Sequence, residues 1–199
     1  MTFRIFPFLT PEALSVIAVI GAITALMAAI TAITRNDIKA VLAYSTISQL
    51  SYVILATALL VPISIAGAVL HILAHAFGKI TLFFAAGSIY TATQKTEVSQ
   101  LNGIGRSMPW TMLAFAIGSL SMIGIPPTAG FLSKWFILQG ALDIQSWFAV
   151  SVIVISTLLN AAYFLPIVYI AFFRDSGIKK EQGYNEAPFP IVFTVFSTA

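Results

Sequence analysis

"HILAHAFGKITLFFAAG" runs from His71 to Gly87. It has the length and apolarity of a membrane helix, yet His71, His75 and Lys79 stand in it at intervals of four. Residues four apart in a helix fall 40° past a full turn, so the three side chains form one slowly winding stripe about 12 Å long. The rest of the stretch is mostly Ile, Leu, Ala and Phe. Three protonatable groups therefore lie where water is scarce.

The whole chain reads the same way. It has 199 residues, 59% of them hydrophobic and only 9% charged, with a mean hydropathy of +0.96. A soluble domain carries about 25% charged residues. This chain cannot cover a water-facing surface, so lipid is its solvent. There is no cysteine, which excludes disulfide scaffolds and thiolate metal sites. Basic residues do not cluster with aromatics, which argues against a nucleic-acid partner.

Charge and proline punctuation divide the chain into spans. Thr10-Pro11-Glu12 is a helix start: a capping hydroxyl, proline in the first turn and an acid at the positive dipole end. The charge-free run Ala13 to Thr34 follows; it is long enough for a hydrocarbon core of about 30 Å and too long for a signal peptide. Arg35-Asn36-Asp37 ends it and caps a second span, Ile38 to Val61. Pro62 opens a third, to about Tyr90. A polar stretch follows, Thr91 to Met108. Pro109 opens a fourth span ending near Ala141, and Ser146 to Phe173 is the fifth. The apolar piece 187–199 is too short to cross and reads as the start of a sixth span. Long uninterrupted runs favour helices over a β-barrel. The expected fold is an all-α membrane protein of about five transmembrane helices plus a partial sixth.

Five spans place Arg35, Lys39, Lys95, Arg106, Arg174, Lys179 and Lys180 on one side of the membrane and only Arg4 on the other. The positive-inside rule then puts the N-terminus outside the cytoplasm. The remaining basic residues, Lys79 and Lys134, lie within spans.

The span from Pro62 to Tyr90 has its midpoint near Ala76, so the His71, His75 and Lys79 stripe straddles the bilayer centre. Ionisable groups there are expensive and functional by default. A metal site is the weaker reading, because "HILAH" lacks the glutamate of the zinc-protease motif and no further ligand is close in sequence. Lys134 lies in "IGIPPTAGFLSKWFIL", Ile123 to Leu138. Pro126-Pro127 cannot continue a helix, and Gly124 and Gly130 loosen both flanks. The fourth span is expected to be two half-helices, a device of ion-coupled transporters. Lys134 falls in the first turns of the second half, near its positive dipole end. In the second span Tyr44, Ser48, Ser51 and Tyr52 share a face that offers hydroxyls for water or helix bridging. Lys39 stands at a helix start, within reach of water.

"NDIKAVLAYSTISQLSY" (Asn36 to Tyr52), "HILAHAFGKITLFFAAGS" (His71 to Ser88), "LNGIGRSMP" (Leu101 to Pro109) and "IPPTAGFLSKWFIL" (Ile125 to Leu138) occur in this order. Together they resemble the antiporter-like membrane subunits of respiratory complex I and of Mrp-type cation/proton antiporters, over roughly Glu12 to Phe173. The resemblance implies a subunit of fourteen helices with two inverted five-helix repeats, each holding one broken helix, of which residues 12–173 are similar to the second. It implies that Lys134 is the broken-helix lysine, that His75 and Lys79 are central-axis residues with His71 a turn earlier, and that Lys39 belongs to the aspartate–lysine motif opening its helix. The first repeat, with its glutamate–lysine pair, is absent, so the chain resembles a fragment, split gene product or degenerate copy.

The expected function is proton or sodium/proton translocation through the relay Lys134, Lys79, His75, His71 and Lys39, within an assembly of other membrane subunits in a bacterial or organellar inner membrane. The expected partners include a chain supplying the first repeat. No cofactor or metal is expected here; redox chemistry would belong to partner subunits. The competing class is a structural subunit with an idle relay.

Overall fold

The computed structural model describes residues 5–174 together with residues 186, 188, 192–194 and 198. Among them there is no strand, only an isolated bridge between Asp37 and Glu97. The helices are α1 (Pro11–Ile33), α2 (Ile38–Ala58), α3 (Pro62–Thr93), the single turn α4 (Ile104–Ser107), α5 (Pro109–Ile123), α6 (Ala129–Asp143) and α7 (Trp147–Phe173). α1, α2, α3 and α7 are each long and apolar enough to cross a bilayer. α5 and α6 are too short singly and together form the fifth, interrupted span. The chain is an all-α membrane protein with one broken helix.

The caps explain the boundaries. Thr10 accepts from the N–H of Ala13, with Pro11 in the first turn of α1. Asp37 accepts from the N–H of Ala40 and starts α2. α2 ends at Ala58, short of the expected Val61, because Leu60 has φ 53° and Val61 is extended ahead of Pro62, as the residue before a proline must be. α3 runs past Tyr90 to Thr93, where Gln94 adopts a left-handed conformation and closes it.

Packing is inverted relative to a soluble bundle. α1 buries Gly21, Ala22, Ala25, Ala28, Ala29 and Ala32, while Val16, Ile20, Ile23 and Met27 face outward. Small residues let backbones approach closely where lipid offers no hydrophobic drive between helices. α3 follows the same rule on the broken span. A Cβ on Gly118 of α5 would meet Leu82 at 3.2 Å, and one on Gly67 of α3 would meet Ile137 of α6 at 2.8 Å.

The stretch from Thr91 to Met108 departs from a plain polar loop. After a 3-10 turn, Val98–Gln100, it folds inward and buries Leu101, Ile104 and Met108 in the main core. The Gly103 N–H donates to the Ile170 carbonyl of α7. A Cβ on Gly105 would collide with Phe172 and the Ala171 carbonyl, so glycine is needed for this approach. The same segment is pinned to the α1–α2 turn: Ile38 N–H donates to Thr96 O at 2.9 Å and Val98 N–H to Asn36 O at 2.7 Å. Glu186 caps the start of α5, accepting from Trp110 N–H at 2.8 Å and from the Thr111 hydroxyl at 2.7 Å. The expected sixth span, 187–199, lies largely outside the described residues, as do Arg4, Lys179 and Lys180; within it, Thr198 is hydrogen-bonded to Thr81.

Candidate functional site

The break lies where the sequence places it. α5 ends at Ile123, Gly124 takes φ 90°, and α6 begins at Ala129 after the cis-linked Pro126-Pro127. Gly124 and Gly130 make the geometry possible in different ways. Gly124 turns the chain in a left-handed conformation that favours glycine, and the absence of its Cβ leaves room for the Lys134 stem, whose Cδ would stand 3.1 Å away. Gly130 brings the first turn of α6 onto the last turn of α5; a Cβ there would overlap the Ser121 carbonyl.

Ending a helix frees its last carbonyls. Two of those in α5 hold Lys134: its Nζ donates to Met122 O at 2.9 Å and to Ile123 O at 3.0 Å. This corrects the electrostatic expectation. The backbone of Lys134 is near the positive start of α6, but its stem reaches back across the break and sets the amine on the negative end of α5. Met122 O also accepts from Gln49 Nε2 at 3.0 Å.

Lys79 of α3 is treated differently. Its Nζ donates to Leu42 O of α2 at 2.8 Å and to the hydroxyl of Ser45. Between the lysines on α3 stand His75 and His71, their rings 6.3 Å apart. The Ser133 hydroxyl donates to Gly130 O at 3.0 Å and lies 3.0 Å from His71 Nδ1. Nε2 of His71 and Nε2 of His75 are buried without a hydrogen-bond partner. All four groups are buried: His71 is 2% exposed, His75 8%, Lys79 6% and Lys134 7%.

The chemistry is legible in the partner count. Each lysine amine has two hydrogen-bond acceptors, and they are carbonyls and a hydroxyl, not carboxylates. An ammonium has three N–H donors and a neutral amine two. Each site therefore receives both N–H groups of a neutral amine and leaves the additional proton of the ammonium without a strong acceptor. The described carboxylates, Glu12, Asp37, Glu97, Asp143 and Glu186, sit at helix ends or in loops.

The sequence-predicted residues divide accordingly. The structure brings His71, His75, Lys79 and Lys134 to one buried region between α2, α3, α6 and the end of α5. Lys39 is not among them: it is exposed on the rim, its Nζ 5.0 Å from the Tyr90 ring. On the α2 face, Ser48 bridges to Ala25 O of α1 at 2.8 Å, Ser51 turns back to Ile47 O, and Tyr44 receives the Arg35 guanidinium. Tyr52 alone of these enters the site, in edge contact with His71. Residues not singled out from sequence complete it: Ser45, Gln49, Ser133, Asn160 and Tyr163. A signal existed, since Ser45, Gln49 and Tyr52 follow one face of α2 and Asn160 stands in a charge-free span. Among the described residues no group of three His, Asp or Glu side chains could hold a metal. A groove of about 640 Å³ runs along another face of α3 past Ser121, Pro127 and Thr128, and His71, His75, Lys79 and Lys134 do not line it.

A family model described as NADH:quinone oxidoreductase/Mrp antiporter, transmembrane, matches residues 1–160. The chain belongs to this family. NADH-quinone oxidoreductase subunit N of Desulforudis audaxviator is 39% identical over 194 residues, covering 94% of this chain and 38% of that protein. Among solved structures, the Mrp complex from Dietzia sp. DQ12-45-1b superposes with a TM-score of 0.78 at 26% identity, over 88% of this chain and 36% of that one. The membrane-bound sulfane sulfur reductase, an archaeal respiratory membrane complex, gives 0.83 at 29% identity, over 93% and 30%. The chain thus spans well under half the length of these relatives.

Proposed function

We propose that this chain supplies a proton path to an antiporter-like membrane subunit, carrying protons, or protons in exchange for sodium, along Lys79, His75, His71 and Lys134. One observation carries the reading: two buried lysines, whose amines are held by neutral acceptors, flank two buried imidazoles whose Nε2 atoms have no hydrogen-bond partner. A proton added to either amine lacks a strong acceptor of its own, while each unpartnered ring nitrogen stands one helical turn or one packing contact away. Groups in that state exchange protons through short water chains at low dielectric. Redox chemistry belongs to partner subunits, and the family relatives, parts of Mrp and respiratory membrane assemblies, support a multi-subunit setting in an inner membrane. Residues 12–173 then correspond to the second five-helix repeat. Lys39 serves at the rim, as a surface group at the path's cytoplasmic end. The N-terminus faces away from the cytoplasm; a cysteine at Thr96 should react only with cytoplasmic label.

The test is pH-gradient formation in membrane vesicles containing the assembled complex, normalised to complex content. Lys79→Ala, His75→Ala and Lys134→Ala should each stop proton movement with assembly retained. Full activity in both lysine variants would remove the path from this chain and leave a structural subunit with an idle relay.

A further inference from the structure

Asn160 stands at the middle of α7 and is completely buried. Its Nδ2 donates to the Tyr52 hydroxyl at 3.1 Å, and its Oδ1 accepts from the Tyr163 hydroxyl at 2.5 Å. A buried amide without such partners is expensive, and an apolar residue in its place would leave the Tyr52 and Tyr163 hydroxyls without this partner.

What Asn160 fixes is Tyr52. The Tyr52 ring meets two of the proposed relay residues at once. Its centroid is 5.5 Å from that of His71, at an interplanar angle of 85°, and Lys134 Nζ lies over its face at 5.2 Å. Two of the three donors of a Lys134 ammonium are taken by Met122 O and Ile123 O. The π face of Tyr52 is the remaining partner, and it is a weak one: it attracts the cation without competing for the proton as a lone pair would. The ring can do this only while its buried hydroxyl is not drawn toward another partner. A tyrosine ring swings about two torsions, and pairing the hydroxyl with Asn160 keeps the ring from following it elsewhere.

We infer that Asn160 is a positioning residue of the proton path, holding the Tyr52 ring between Lys134 and His71 through the Tyr52 hydroxyl. The inference rests on the relay reading of Lys134 and His71. Asn160 is not itself a step: its Nδ2 could pass a proton on only by visiting the unfavourable imidic acid form. It acts through Tyr52. If Asn160 is replaced by leucine, the Tyr52 hydroxyl loses this donor and is left to the other hydroxyls beside it, Ser156, Thr157 and Ser48, and the ring turns with it.

The experiment measures proton movement per assembled complex in vesicles for Asn160→Leu, Tyr52→Phe/Asn160→Leu and Tyr52→Leu, beside Lys134→Ala. Asn160→Leu should lose activity about fivefold, the scale of a cation–π contact weakened but not removed. Tyr52→Phe in the same background removes the unanchored hydroxyl, keeps the ring and should restore activity to within about twofold. A residue needed only for packing would lower the amount of complex and leave the rate per complex unchanged. Full activity in Asn160→Leu, or no rescue by Tyr52→Phe, overturns the inference. Should Asn160→Leu not assemble, Tyr52→Leu, which leaves Asn160 in place, must show the same loss; an unchanged rate there also overturns it. The two readings fail separately: an active Lys134→Ala removes the relay, whereas an inactive Lys134→Ala beside a fully active Asn160→Leu removes only the role of Asn160.

Discussion

Lys79 and Lys134 solve one problem in two ways. Both amines are buried and each is held by two neutral acceptors. Lys134 takes carbonyls that the end of α5 sets free. Lys79 lies in an unbroken helix and must borrow from a neighbour whose carbonyls are already used. Leu42 O accepts side-chain bonds from Ser45 at 3.0 Å and Thr46 at 2.9 Å besides that from Lys79. The Ser45 hydroxyl donates to Leu42 O and accepts from the amine, closing a small triangle. A helix break therefore creates acceptors by backbone geometry, and an intact helix needs a side chain to supply one. The first site depends on glycines and prolines, the second on a single serine.

The largest expected effect tests what the sites share. Arginine retains its proton at physiological pH. Lys134→Arg and Lys79→Arg should therefore each lower proton movement per complex by about tenfold or more, at least about 1.4 kcal/mol on the transfer step. A variant retaining most of its activity would break the equivalence of the two lysines. Next comes the backbone of the break. Gly130→Ala puts a methyl group into the Ser121 carbonyl and should destabilise the fold by about 1–3 kcal/mol, read as earlier thermal inactivation of the complex. Gly87→Ala in α3 is its control: nothing lies within 4 Å of a Cβ there, and helix propensity predicts a gain of up to about 1 kcal/mol. Equal effects at both glycines would show that the break tolerates separation of its halves.

Ser45→Ala sharpens the other side. It removes one of two acceptors from Lys79 and should reduce activity about fivefold, the scale of one hydrogen bond of about 1 kcal/mol; an unchanged rate would mean Leu42 O suffices. Lys39→Ala is the smallest. Lys39 is exposed and its contact with the Tyr90 ring contributes only about 0.5–1 kcal/mol to stability, outside the buried row, so transport should stay within about twofold. A loss as deep as that of Lys134→Arg would draw the rim lysine into the path.

Much of this architecture is written in local pattern. Charge-free runs mark the spans, Thr10 and Asp37 mark helix starts, Pro126-Pro127 with Gly124 marks the break, and a four-residue interval aligns His71, His75 and Lys79. Each of these depends on torsions and periodicity within a few residues. The loop from Thr91 to Met108 was legible as polar but not as a plug, because its burial of Leu101, Ile104 and Met108 depends on contact with α7. The surroundings of the amines were equally hidden. The sequence places Lys134 beside the positive end of one helix, and the fold carries its amine to the negative end of another.

Local sequence thus determined which titratable groups the apolar spans carry; tertiary structure alone decided what each one touches. Ser45 reaches Lys79 from α2, Gln49 meets the break from α2, and Asn160 meets Tyr52 from α7. Hydrogen bonds need partners within about 3 Å, and only the packing of separate helices fixes which side chains come that close.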